Sequence, residues 1–163
     1  MNAMTADANL QQIIQEFGLD FSGDIKIGGH YIPVIRDGHY VFLSGQIPRI
    51  GDEVLFVGAL GDDFDVAEGK HAAAICAVRA LALLQRSLGS LELIKTVLRM
   101  TVYVRSAPTF THQSEVADGA SDVLSRVLGP CGVHVRTAVG VVQLPKGAAV
   151  ELDVMAALTD AAA

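Results

Sequence analysis

From Val66 to Leu88 the chain reads VAEGKHAAAICAVRALALLQRSL, rich in Ala and Leu, free of proline, with Gly89 to stop it. Such a run predicts a helix whose apolar residues surround most of its axis rather than forming one stripe. A helix of that kind is stable only when covered on more than one side. The remaining residues therefore have to supply a sheet beneath it and a neighbour beside it. At 163 residues the chain suits one domain, which buries about 70% of the surface its unfolded form exposes and folds without disulfides or metal.

Flanking patterns supply the partners. Residues 5–17 predict a short helix capped by Thr5 or Asp7, with Leu10, Ile13, Ile14 and Phe17 on one stripe and Gly18 at its end. A glycine-bearing loop follows. Tyr31–Arg36 and His39–Leu43 then read as a hairpin around Asp37-Gly38, and Val54–Val57 as a brief strand. Ile94–Val104, rich in β-branched residues, predicts a central strand. Residues 113–128 predict a second helix with Val116, Ala120, Val123, Leu124 and Val127 inward, closed by Gly129-Pro130. His134–Val142 and Ala149–Ala156 complete the set; in the last, Val150, Leu152 and Val154 point one way and Glu151 and Asp153 the other. This order defines an α+β domain, a mixed sheet with two principal helices on one face, plus the short N-terminal helix. The expected division is 1–24 for the N-terminal helix and loop, 25–158 for the main domain and 159–163 for an Ala-rich tail.

Charge narrows the partners. There are 12 Lys and Arg against 18 Asp and Glu, a net charge of −6, with no basic run, so nucleic acid is a disfavoured partner. Only 18% of residues are charged while 51% are apolar, too little charge to cover a small globule, and an oligomer is expected. The apolar stretch 72–84 is interrupted by Arg79 and too short to cross a bilayer. No Lys or Arg precedes Lys26, unlike a signal peptide. Cys76 reads as a small buried hydrophobe and Cys131 as a free thiol in a turn, which fits a reducing cytoplasm. Short signatures for nucleotide, metal or serine-nucleophile sites are absent.

Arg136 is the most informative residue. It lies in an apolar strand, and its guanidinium needs an anion. Two readings follow: a structural ion pair with Glu151 or Asp153 in an adjoining strand, or a fork for a substrate carboxylate. Glu151 is either that counter-ion or a water-positioning group. His134 shares the Arg136 face, as a ligand donor or as part of a polar interface. Tyr31 is a cleft residue or an ordinary half-buried strand tyrosine.

Together, Gly29-His-Tyr31, Ser44-Gly-Gln-Ile-Pro48, the long helix running into Gly89-Ser-Leu91, Val97–Val104 followed by Phe110, Arg136, and Leu144-Pro145 through Glu151 resemble the reactive intermediate deaminase family (RidA/YjgF, also called L-PSP endoribonuclease-like). The likeness covers about residues 25–158. It implies a chorismate-mutase-like fold and a homotrimer with ligand clefts between subunits. The implied activity is hydrolysis of small carboxylate-bearing enamines and imines, such as 2-aminoacrylate and its imine tautomer, to a 2-keto acid and ammonia, with no metal or organic cofactor. It implies that Arg136 holds the substrate carboxylate, that Glu151 serves the attacking water, and that Tyr31, Ser44, Gly45, Phe110 and Ala138 line the cleft. The chain departs from the family pattern at Ser114, where relatives carry Asn, at His30, and at His134-Val135, where relatives carry Pro-Ala; the helix at 5–17 is extra. These changes mark a divergent branch and assign Ser114 and His134 to substrate contact. Alternatives are a non-catalytic metabolite-binding trimer, an endoribonuclease, which the acidic charge disfavours, and a chorismate mutase, which rests on fold analogy alone.

Overall fold

The computed structural model describes residues 4–160, so the tail at 161–163 lies outside the described residues. Helix α1 spans Ala6–Glu16, α2 Val66–Leu88 and α3 Gln113–Leu128; strands are β1 Val34–Asp37, β2 Tyr40–Gln46, β3 Arg49–Ile50, β4 Glu53–Val54, β5 Ile94–Arg105, β6 Val135–Val141 and β7 Val150–Leu158. Five strands form one mixed sheet in the order β1-β2-β7-β5-β6, in which only β5 and β6 run parallel. Helix α3 makes the crossover between those two.

Helix α2 starts with a reciprocal capping box between Asp65 and Glu68 and ends on left-handed Gly89. Every residue from Ala72 to Leu84 is buried, which bears out the all-round cover its composition demands. The sheet lies under one side, through Val41, Leu43, Val150, Leu152 and Val154, and α3 and α1 cover the others. Small residues bring the two long helices close: a Cβ on Gly119 of α3 would fall 2.0 Å from the Lys70 carbonyl oxygen of α2. The N-terminal helix is capped by Thr5. It joins the same core through Leu10 and Ile13 and is tied down by Asp7, which accepts from Ser90, Leu91 and Gln85.

Three local expectations need correction. Asp37 pairs with Tyr40, so the hairpin loop is Gly38-His39, with Gly38 at φ 55, one residue later than Asp37-Gly38. The brief strand at 54–57 is the end of a two-stranded ribbon, β3–β4. The last two strands do not adjoin: β5 lies between β6 and β7, because the α3 crossover delivers β6 to the sheet edge in parallel.

One face of the sheet is covered by the helices. The other is open and carries Ile35, Tyr40, Phe42, Val135 and Val139, all more than a third exposed.

The α2–α3 approach gives a direct test. Gly119→Ala drives a methyl group into backbone and should lower the unfolding free energy by about 1–3 kcal/mol in chemical denaturation. Gly23→Ala, where a Cβ meets nothing within 4 Å, should change it by less than about 0.5 kcal/mol.

Candidate functional site

Two separate groups of candidate residues form. The first is built on an irregularity in β2. Between Leu43 and Gln46 the pairing with β7 shifts register, so Gln46 turns inward and is buried while Gly45 comes to lie against Glu151. A Cβ on Gly45 would stand 2.0 Å from Glu151 Oε1. Glycine is what allows the Glu151 carboxylate to occupy this place. Glu151 then lines a cavity of about 330 Å³ together with Tyr31, Gly45, Gln46, Arg49, Arg79 and Lys146. Burial, reinforced by the neighbouring Asp153 charge, pushes the Glu151 carboxyl above the usual carboxylate range. Asp153 itself accepts from the Tyr103 hydroxyl at 3.1 Å.

Arg79 was legible in the sequence only as a charge interrupting an apolar run. Its side chain is 3% exposed. Nε donates to Gln46 Oε1 at 2.9 Å, Nη1 to the Arg49 carbonyl at 2.8 Å and Nη2 to the Lys26 carbonyl at 2.5 Å. Ser44 stands behind the cavity: its carbonyl and Oγ accept from Gln46 Nε2 at 3.0 and 3.2 Å, which orients the amide oxygen toward Arg79. Lys146 sits at the rim in the left-handed region, φ 58, a conformation that costs a non-glycine residue about 1 kcal/mol and tends to collect at functional sites.

The second group lies at the outer edge of the sheet. Arg136 is in register with Met100, a helix-facing residue, and so points toward α3. There Ser114, Asp118 and Ser121 repeat at helical spacing and present their acceptors on one face. Nη1 donates to Asp118 Oδ1 and Ser121 Oγ, both at 2.9 Å; Nη2 donates to the Ser114 carbonyl and Oγ at 3.1 and 3.0 Å. The ion-pair partner is therefore Asp118, not Glu151 or Asp153. His134 Nδ1 lies 2.6 Å from the Gly132 carbonyl and Nε2 3.0 Å from Ser121 Oγ. A carbonyl only accepts, so Nδ1 donates and the neutral ring takes the Ser121 proton at Nε2. The signal for this cluster was the polar stripe 114, 118, 121.

Glu151 pairs with Tyr103 on β5, three residues along from the Arg136 level, with β5 between the two strands. Two strand spacings, about 10 Å, and a similar distance along the strands separate the pair, and they face opposite sides of the sheet. Phe110 and Ala138 join neither group: Phe110 packs by Gly61 and edge-on to His112, and Ala138 sits in β6 against the core. Among the described residues no group of His, Cys, Asp and Glu is placed to hold a metal, and no helix is long and apolar enough to cross a membrane.

Residues 13–157 match the family described as "YjgF/chorismate_mutase-like, putative endoribonuclease". The chain is similar to Protein TCP17 of Trypanosoma cruzi, 36% identical over 159 residues that cover 97% of this chain and 99% of the relative. It is similar in structure to the protein Atu1372 of Agrobacterium tumefaciens, described as of unknown function, at TM-score 0.83 and 34% identity over 94% of each chain. A Shewanella oneidensis protein described as a "putative endoribonuclease" superposes at TM-score 0.86, with 26% identity over 95% of this chain and all of the other. The chain belongs to the YjgF/chorismate-mutase-like family.

Glu151 supplies a stability test. Its folded pKa lies above the ordinary value, so the folded state holds the proton more tightly than the unfolded state does, and stability falls as pH rises from 4.5 through the folded pKa. At pH 7 the ionised carboxylate is a stability cost. Glu151→Gln should raise Tm at pH 7, and the gain should vanish below pH 4.5; calorimetry across that range checks it.

Proposed function

We propose that the protein hydrolyses small carboxylate-bearing imines and enamines to 2-keto acids and ammonia, and that its clefts form between copies of a homotrimer. The observation that carries this reading is Glu151: a half-buried carboxylate of raised pKa facing a cavity walled by Arg79, Arg49 and Lys146. Such a group is tuned toward neutral pH as a proton acceptor, beside a wall that attracts an anionic substrate.

In this mechanism a water near Glu151 attacks the imine carbon and Glu151 takes its proton. Attack on the N-protonated imine gives a neutral carbinolamine; Glu151 returns its proton to nitrogen, and as the C–N bond breaks the carbinol hydroxyl passes its proton through Glu151 to the departing ammonia, leaving ammonium and the 2-keto acid. Tyr31, half exposed at the mouth, stands over the bound substrate, and Gly45 leaves room for the carboxylate.

The separation of Arg136 from Glu151 within one chain supports an inter-subunit cleft, in which one copy supplies Arg136 and the next supplies Glu151 and Tyr31. The open sheet face bearing Ile35, Tyr40 and Phe42 supports burial against a second copy. In the clamp role, the substrate carboxylate takes Arg136 from Asp118 or engages its Nε, which makes no hydrogen bond to these partners, and Ser114, Ser121 and His134 hold the guanidinium in place. A second reading, metabolite binding without turnover, draws on that same engagement of Arg136 by Asp118. Cleavage of RNA is the weaker reading, because the basic groups Lys26, Arg49, Arg79 and Lys146 converge on a cavity rather than a strip along the surface.

The test is release of ammonia and keto acid from 2-iminopropionate generated in situ. The native chain should accelerate it, Glu151→Gln should lower kcat by about 10²-fold or more, and Arg136→Ala should lower kcat/KM. The acid limb of kcat/KM should have its midpoint above pH 4.5. Acceleration equal in native and Glu151→Gln proteins would overturn the role given to Glu151, and none at all with retained keto-acid binding would establish the binding-only reading.

A further inference from the structure

Arg79 is a buried cation without a buried anion. Of the four basic side chains lining the cavity, Lys26 and Arg49 share Asp52, the latter at 3.2 Å, while Lys146 sits on a surface turn. Arg79 differs: among the described residues no carboxylate lies within 4.0 Å of it, and its three hydrogen-bond acceptors are an amide oxygen and two backbone carbonyls. A guanidinium carries five N–H groups, so two remain after those bonds. Removing a charged group from water is costly unless an opposite charge or an anionic ligand accompanies it. Burial, with the Arg49 charge beside it, brings the Arg79 pKa down to about 10, which leaves it protonated at neutral pH. The guanidinium is thus held charged, fixed in orientation by neutral acceptors, on the wall of a cavity.

Glu151 lines the same cavity. A ligand reacting at Glu151 and filling the rest of the space meets Arg79. At about 330 Å³ the cavity is in the range that accommodates ligands well beyond a three-carbon acid.

We propose that Arg79 forms an anion subsite on the wall of the cavity, so that the ligand is a dicarboxylate: the imine or 2-keto form of an acidic amino acid, its reacting carbon at Glu151 and its second carboxylate on the Arg79 fork. The planar fork with its two remaining donors matches a carboxylate. This inference rests on the reading of the cavity as a keto-acid and imine site, and it deepens that reading by naming the substrate class.

Calorimetric titration of the native protein with 2-oxoglutarate and with 2-oxopentanoate isolates the second carboxylate, since the two probes share a five-carbon chain. The dicarboxylate should bind about tenfold or more tightly, a difference a single charge-assisted contact supplies. Arg79→Met should bring the two affinities within about twofold of each other. Where Arg79→Met does not fold, Arg79→Lys keeps the charge, drops the fork, and should reduce the discrimination without abolishing it. Equal affinity in the native protein, or discrimination that survives Arg79→Met, overturns the proposal. Equal affinities alongside hydrolysis of 2-iminopropionate would leave the proposed function standing and this inference refuted; no binding of either probe, with no hydrolysis, would refute both.

Discussion

The structure is organised around the guanidinium of Arg79, which reaches out of the most buried helix and gathers three separate pieces of chain. Its bonds run to the end of β2 through Gln46, to β3 through the Arg49 carbonyl, and to the loop before β1 through the Lys26 carbonyl. Hydrogen bonds to a charged group are worth about 1.5–3 kcal/mol each, comparable with the desolvation of the charge. The arrangement therefore persists only if all three acceptors are in place, and placing them shapes the cavity. The register shift in β2 turns Gln46 inward to meet Arg79 and sets Gly45 against Glu151. One irregularity of the sheet thus connects the buried cation to the half-buried carboxylate.

Unfavourable placements gather at this cavity. Glu151 is held where its ionised form is disfavoured, Lys146 where a side chain is rarely tolerated, and Arg79 where no carboxylate among the described residues answers it. Each costs stability, and the broad apolar cover of α2 by sheet, α1 and α3 supplies what these features take away.

Much of the fold was legible because it follows from periodicity. The limits of α2 and α3 are those marked by Gly89 and by Gly129-Pro130, and the alternation of β7 places Val150, Leu152 and Val154 inward. Strand order was not legible. Nothing local to Arg136 or Glu151 reveals that β5 lies between their strands; the crossover through α3 decides that. The same gap hid the partner of Arg136. Arg136 does have the anion a buried arginine needs, and Asp118 was reachable from the helical stripe that includes Ser114 and Ser121. Applied to Arg79, the same requirement would have exposed the cavity wall from the sequence, since that residue is the sole charge between Ala72 and Leu84.

In the proposed function the cavity beside Glu151 is where a keto acid or imine binds, completed by Arg136 of a second copy. A crystal structure of the protein with a bound 2-keto acid tests this most directly. It should show a trimer with the keto carbon against Glu151, the adjacent carboxylate on Arg136 of a neighbouring subunit, and Asp118 displaced from that guanidinium or Arg136 Nε engaged. A ligand bound elsewhere, or an assembly in which Arg136 remains far from Glu151 of every copy, would contradict it.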